Sequence, residues 1–466
     1  MRQVRNGSHH TASGRGITRR GLAMASAALG AGGVIAACGA AAEAPQKRVR
    51  TTPYTVRFMA LSTNPWMLEQ IERFNKEVGP ESKVQVAPEP QPDQAALWTK
   101  FQSTLAAGDV PDVARLKEIW VFEAAAKNAV ASLDGYFKTD KDFNAADLLP
   151  LYQDNFKYKG QNYAVAREVS IIIGYYNKAN FASAGLDPEK PPTTYEEFRQ
   201  YAQRLTKQGA TPTDTTWGFD PYEYGTREFV LLWLLLHMRR YGLEFWNRDK
   251  TAVALNTPGH VEVMQFFMDM IHKDRSAVPP DAGISGGAQG APQTTMVGKI
   301  AMWEQGTWDL GVNPLRYPDL RFGVFLWPKK ANQQHVALAG SSAMTKGSKD
   351  PDAAWEFIRW WNTPQNQVGW YENAGGNAPS RKSVYAKAPF AENATWKTLV
   401  PFVTGGGGAT QPRPMAERYT ELAESMTPAL MRGLRNQTPA REALDEATRV
   451  GSAFWKDIGG NASKAL

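Results

Sequence analysis

Residues 54–116 switch back and forth between two hydrophobic periods, and no other stretch restricts the fold as much. Residues 54–60 (YTVRFMA) alternate and are rich in β-formers, which predicts a strand. After a loop over 61–65, Met67, Ile71 and Phe74 recur at helical spacing. Residues 83–87 (KVQVA) are extended again, a helical segment ends at Gly108 as its C-cap, and the residues after Pro111 supply a short third strand. The order β-α-β-α-β predicts an open, mostly parallel sheet that presents ligand groups at its strand ends.

Further along, residues 158–168 read as a turn running into a strand. Residues 170–178 (SIIIGYYNK) are the most strand-like run in the chain, and a second lobe is expected to begin here. Thr194 and Glu197 have capping-box spacing at the head of a helix over 194–206. Residues 229–238 (FVLLWLLLHM) fall short of the about 20 needed to cross a bilayer. Arg227, Glu228, Arg239 and Arg240 flank them, so a buried helix is expected, with His237 a core or helix-end residue. Pro258-Gly259-His260 precedes an amphipathic helix carrying Val261, Met264, Phe267, Met268 and Ile271. Residues 278–293 should form a long loop, either a lid or disordered.

The beginning of the chain reads as a targeting segment. Residues 1–37 hold five arginines and no acid, and finish in a Gly- and Ala-rich apolar run over 21–37, the pattern of a processed signal rather than a spanning helix. Arg19-Arg20 resembles the twin-arginine export signal. Ile35-Ala36-Ala37-Cys38-Gly39 resembles a bacterial lipobox, which implies that Cys38 is lipidated and starts a mature chain of 429 residues. Residues 38–53 would be the lipid-anchored linker, with Lys47, Arg48 and Arg50 either near anionic headgroups or simply solvated. Cys38 is the only cysteine, so no disulfide within the chain and no cysteine metal cluster can form. The net charge of +7 falls to +2 without the arginines of the leader, which removes the main motive for a nucleic-acid function.

A mature chain this long favours two domains. Residues 296–308 (MVGKIAMWEQGTW), with their Gly-Lys-x-Ala-Met run, resemble a hallmark of the family 1 extracellular solute-binding proteins, the maltose-binding-like group. Residues 322–328, 340–344, 352–361, 376–381 and 438–444 keep that family's order, so the resemblance covers roughly 54–455. It implies a periplasmic-binding-protein-like α/β fold: two α/β lobes with interleaved chain crossings and a ligand cleft between them. The N-terminal lobe would combine 54–164 with 330–385, and the C-terminal lobe 165–329 with 386–466. It also implies a monomeric, membrane-anchored extracytoplasmic component of an ABC importer. Such a component would bind a carbohydrate or related polar solute and pass it to permease subunits. Related folds also take glycerol phosphates, polyols and uronates.

A sugar offers apolar faces and a rim of hydroxyls, so its site needs aromatic planes and polar partners. The chain has 15 tryptophans, and location must choose among them. Asn64 and Trp66 follow the first strand, where Trp66 either meets ligand or packs the helix onto the sheet. Asp112 either binds ligand or serves a turn, and Arg167 and Glu168 bond either ligand or each other. Trp303, Glu304 and Trp308 are the second-lobe candidates, and Trp370 and Asn377 would cover the ligand. Tyr175 and Tyr176 alternate across a strand, which favours a structural role.

No phosphate loop, dinucleotide fingerprint, calcium loop or zinc motif occurs, so no cofactor or metal is implied. The competing functions are a secreted glycoside hydrolase and a sensory or adhesive lipoprotein. A hydrolase needs two carboxyl groups about 5–9 Å apart, and no motif fixes such a pair among Glu168, Glu304 and Asp112.

Overall fold

A computed structural model describes residues 50–460, except 62–63, 222–228, 283, 285–297, 317–318, 332–333, 375–376 and 407–409. Arg19-Arg20, Cys38, residues 38–49 of the linker, Arg227 and Glu228, and most of the 278–293 loop lie outside the described residues.

The first strand, β1 (Tyr54–Leu61), pairs in parallel with β2 (Val84–Gln91) from Tyr54↔Val84 to Leu61↔Gln91. Its other neighbour, β3 (Val113–Lys117), is parallel as well. Helix α1 (Pro65–Glu77) starts at a proline whose missing N–H costs nothing there, and buries Met67, Ile71 and Phe74, the three residues its period singles out. Asp93 caps α2 (Gln94–Ala107) by accepting from Ala96 N, and Gly108 ends that helix at φ 71°, a left-handed geometry that suits glycine. Helix α3 (Glu118–Ala126) follows β3 directly.

Beyond this opening unit the sheet is no longer parallel. Strand β4 (Val165–Asn177) is buried along its whole length, which explains its near-continuous apolar reading. The other strands of this sheet are β5 (Trp217–Asp220), β6 (Ile300–Gly306), β7 (Phe322–Phe325), β8 (His335–Met344), β9 (Ala378–Pro379) and β10 (Thr410–Pro412). The order is β2-β1-β3-β8-β4-β6-β5, with β7 and β9 also pairing β4 and β10 pairing β8. Strand β8 runs antiparallel to both β3 and β4, and β4 runs antiparallel to β6, β7 and β9. The expectation of a mostly parallel sheet therefore holds only for β1–β3, β5 with β6, and β10 with β8. Its error has a plain cause: β8 returns from more than two hundred residues downstream and inserts beside β3, which local periodicity cannot foresee.

Strand β4 is divided along its length. Its first half pairs with β8, from Val165↔Ser342 to Ile171↔Ala337, and its second half pairs with β6 and β7 from Ile172 to Asn177. A bulge interrupts the first half: Glu168 faces Gly340 and Ala166 faces Ser341, so Arg167 has no partner in the ladder.

The helices that follow are α4 (Tyr195–Leu205), with both bonds of the Thr194/Glu197 capping box formed, and α5 (Phe229–Arg240), a buried helix. Next comes α6 (Pro258–Met268), continued by a π-turn over Asp269–Lys273. Pro258 is already inside α6, and Val263 rather than Val261 reaches the core. Then come α7 (Asp309–Arg316), α8 (Pro351–Trp361), α9 (Pro364–Ala374), α10 (Ala394–Val403), α11 (Tyr419–Leu434) and α12 (Ala440–Asp457). No helix among the described residues is long and apolar enough to cross a membrane. One hydrophobic cluster lies around β1, β2, α1 and α8, including Phe58, Phe74, Phe357 and Trp361; a larger one surrounds β4 and α5.

Candidate functional site

The register of the sheet gathers charged groups that lie far apart in sequence. Arg115 of β3 faces Ser342 and Glu168 of β4 faces Gly340, two residues along β8, so Arg115 and Glu168 share one face of the sheet. Arg115 donates to Glu168 Oε1 through Nε at 2.7 Å and Nη2 at 2.6 Å. A side chain at position 340 would collide with both groups, which accounts for glycine there. Asn377 Nδ2 donates to the other oxygen, Glu168 Oε2, at 3.2 Å. Burial would raise the Glu168 pKa, but Arg115, Arg167 and these hydrogen bonds outweigh it and hold the carboxyl below its ordinary value.

Beside this pair lies the bulge residue Arg167, only 5 % exposed. Its guanidinium carbon sits 4.4 Å from the ring centre of Trp361 on α8 and 4.9 Å from that of Trp370 on α9. Trp66 adjoins both rings, at 6.4 Å from Trp361 and 6.0 Å from Trp370. Asn64 orders the same corner: its side chain accepts from Trp66 N at 2.9 Å and donates to Ala374 O at 3.4 Å, linking the start of α1 to the end of α9. Burial lowers the Arg167 pKa to about 10, with Glu168 opposing and Arg115 adding to the drop. Arg167 remains charged at neutral pH, yet its Nε and Nη2 are buried with no hydrogen-bond partner among the described residues, as are Arg115 Nη1 and Trp370 Nε1.

Six of the expected residues thus come together: Asn64, Trp66, Arg167, Glu168, Trp370 and Asn377. Arg167 and Glu168, expected to bond either ligand or each other, turn to different partners, Arg167 to the indole faces and Glu168 to Arg115 and Asn377.

The other four candidates stand apart from this group. Asp112 precedes β3, at the end of that strand opposite to Lys117. Its carboxylate accepts from Tyr54 Oη at 2.7 Å, Arg57 N at 2.9 Å and Ser348 Oγ at 2.6 Å, so it fastens the sheet. Glu304 is sealed in the core, where it meets His237 Nε2 at 3.2 Å and Arg240 Nη1 at 3.4 Å. Tyr195 and Arg240 approach His237 Nδ1, which leaves the Nε2–H to donate to Glu304. Burial takes His237 down to about 4, against the pull of Glu304, so the imidazole is neutral. Trp303 points to the other face of β6 and stacks on Tyr175 at 5.5 Å, again inside the core. Trp308 is half-buried against Gly306 at the head of α7, a helix that lies against α9. Tyr175 and Tyr176 donate to the carbonyls of Gly306 and Pro188, the structural role expected of them.

Sequence reasoning missed Arg115 and Trp361, and a second group at the C-terminal end of β3. Here Lys117 Nζ lies 4.8 Å from the ring centres of both Trp120 and Phe229, and Trp98 stacks flat on Trp120 at 5.1 Å. The next residue, Glu118, accepts from Arg413 Nε at 2.6 Å. One signal was available: Arg115 and Lys117 put two cations on one face of a strand that is otherwise apolar. Trp361 had none.

A cation-rich, aromatic-lined group drawn from β3, β4, α1, α8 and α9 is suited to holding a polar solute, and comparison with known proteins gives that suitability a context. The model of the bacterial extracellular solute-binding proteins matches residues 69–398. The chain belongs to that family. Among curated members it resembles the sn-glycerol-3-phosphate-binding periplasmic protein UgpB of Pectobacterium atrosepticum, 23 % identical over 83 % of this chain and 87 % of the relative. UgpB of Escherichia coli is 22 % identical over 75 % and 80 %. Among solved structures, a solute-binding protein of an ABC transporter from Thermotoga lettingae, bound with alpha-D-tagatose, superposes with TM-score 0.74 at 19 % identity, covering 86 % of this chain and 99 % of that one. The sugar-binding protein MalE of Xanthomonas citri gives 0.71 at 20 % identity, over 87 % and 99 %. At these identities the solved structures establish the fold, a solute-binding α/β architecture, and these relatives are binding proteins rather than enzymes.

Proposed function

We propose that this solute-binding family member is the extracytoplasmic capture component of an ABC importer and takes up a sugar-like polar solute. The observation that carries the reading is the group around β4: three indole rings, two guanidinium groups and a carboxylate, drawn from β3, β4, α1, α8 and α9. Rings of this kind suit the apolar faces of a sugar, and unpaired donors suit its oxygens. The relatives named for sn-glycerol 3-phosphate, tagatose and sugars support the solute class.

In this reading the ligand residues are Asn64, Trp66, Arg115, Arg167, Glu168, Trp361, Trp370 and Asn377, with Trp308, just before α7, as a further candidate. Residues 54–164 with 330–385 form one lobe and 165–329 with 386–466 the other. Ligand touching both lobes stabilises the closed state by its differential affinity, and permease subunits read that state. The protein acts as a monomer without catalysis, leaves the cytoplasm by the twin-arginine route, and is held at the membrane by lipid on Cys38.

The test is a thermal-shift screen of the purified protein, stripped of carried ligand by unfolding and refolding, against sugars, polyols, uronates and sugar phosphates. A saturable rise in Tm without conversion of the compound is expected. Turnover of a glycoside, or flat curves from folded protein across every class, would overturn the reading. Labelling of Cys38 by a fatty-acid probe, lost in Cys38→Ala, tests the anchor.

A further inference from the structure

Hydrogen-bond donors outnumber acceptors at the β4 bulge. Among the described residues, four buried donor atoms on three side chains have no partner there: Nε and Nη2 of Arg167, Nη1 of Arg115 and Nε1 of Trp370. A buried polar atom left unpaired costs on the order of 1–3 kcal/mol, and more when it belongs to a charged group. The charges are unbalanced in the same direction. Among the described residues Glu168 is the only acid to pair with either arginine; Arg115 takes one of its oxygens and Asn377 the other, so two cations share one carboxylate and one positive charge stays uncompensated. The flanking rings of Trp361 and Trp370 are π faces, which hold a guanidinium in place without accepting from its edge.

The ladder explains how such an arrangement can exist. Arg167 is the extra residue of the bulge, so its side chain is freed from the alternation that would otherwise direct it, a device that recurs next to binding sites. The edge of a guanidinium presents parallel N–H groups that match the two oxygens of a carboxylate or phosphate.

We propose that the solute captured by this chain carries an oxyanion, a carboxylate or a phosphate ester, and that Arg167 binds it by the edge of its guanidinium. The inference rests on the capture reading above and narrows it: neutral sugars lack the group that the site is built to hold. Arg115 and Trp370 supply the neighbouring donors, and Glu168 keeps Arg115 in place. A neutral ligand would leave the positive charge of Arg167 buried without a counter-ion.

The experiment compares matched pairs by calorimetry and thermal shift on the purified, ligand-stripped protein: galacturonate with galactose, glucose 6-phosphate with glucose, and glycerol 3-phosphate with glycerol. Inorganic phosphate serves as the bare anion. Binding of at least one anionic member more than about 100-fold tighter than its neutral partner is expected, the scale of one charge-assisted pair. The uronate and phosphate arms tell the two oxyanions apart. Arg167→Gln should remove most of that preference, and Arg167→Lys should restore part of it, in proteins whose far-UV circular dichroism and cooperative melting show them folded. Should Arg167→Gln fail to fold, Trp370→Phe deletes one donor while keeping an aromatic ring and should lower the anionic member's affinity more than the neutral member's. Neutral members binding as tightly as their anionic partners would overturn this inference and leave capture standing. An anion preference that survives in folded Arg167→Gln would also overturn it, by placing the anion elsewhere. Folded protein that binds neither class would overturn the capture reading itself.

Discussion

Arg413 donates from Nε to Oε1 of Glu118 at 2.6 Å across 295 residues of sequence, and both side chains are almost fully withdrawn from solvent, at 3 % and 1 % exposure. The second oxygen of Glu118 accepts from Ala339 N at 3.2 Å, so a single carboxylate connects α3, β8 and the segment after β10. Removing one partner of a buried pair strands the other charge, at a cost of about 3–5 kcal/mol. Glu118→Ala should therefore lower Tm by several degrees in calorimetry, and the double variant Glu118→Gln, Arg413→Met should recover part of the loss.

Gly340 faces the Arg115–Glu168 pair from β8 without a side chain. Gly340→Ala puts a methyl group inside contact distance of both charged groups, so the pair must shift. Solute affinity should fall by about tenfold or more, with a loss of stability on the order of 1–3 kcal/mol, the usual scale of overpacking. Calorimetric titration and melting of the same preparation separate the two effects.

Asp112 binds three donors at the far end of β3 from Lys117. Asp112→Ala should cost on the order of 2–4 kcal/mol, because the Tyr54, Arg57 and Ser348 donors lose their acceptor together. Its effect on solute affinity should be less than twofold. An affinity loss of tenfold in folded protein would return Asp112 to the binding residues.

Three buried histidines set a pH dependence. Burial takes His237 and His260 down to about 4 and His335 to about 3; Glu304 and two backbone carbonyls oppose the shift, while Arg240 deepens it at His237 and His335. In the unfolded chain each titrates near 6.5. Below that value the unfolded state takes up protons first, so stability rises with pH between about 4 and 6.5 and is level with respect to these groups above about 7. Tm measured from pH 8 to pH 4 should fall by several degrees below pH 6.5. His335→Gln should fall less over the same interval.

The opening β-α-β-α-β unit, the capping box of α4 and the burial of α5 were legible because each depends on residues within one or two turns of one another. Met67, Ile71 and Phe74 could be named as core from their spacing alone. The antiparallel insertion of β8 could not, because no local pattern records which strand a segment will join. The site divides in the same way. Trp66 and Trp370 were chosen by position near loops, and Arg167 and Glu168 by their place at an expected boundary. Arg115 entered the group only through the register of β3 against β8. Glu304 and Trp303 lie apart from this group for a related reason: the motif containing them resembles the family's, yet β6 stacks Trp303 on Tyr175 of β4 and turns Glu304 into a buried polar network with His237. Alternation along a strand tells that two neighbours diverge, and the surrounding fold decides which of them meets solvent.

The bulge at Arg167 also affects how this protein can change over generations. Because Ala166 and Glu168 face consecutive residues of β8, loss of the single codon for Arg167 would close the ladder and leave every other pairing of β4 in register. Elsewhere in β4 a one-residue deletion turns the rest of the strand over and exchanges its faces. The residue that supplies the uncompensated cation is therefore the one that a lineage can discard or regain in one in-frame step, which makes charge selectivity separable from the architecture that displays it.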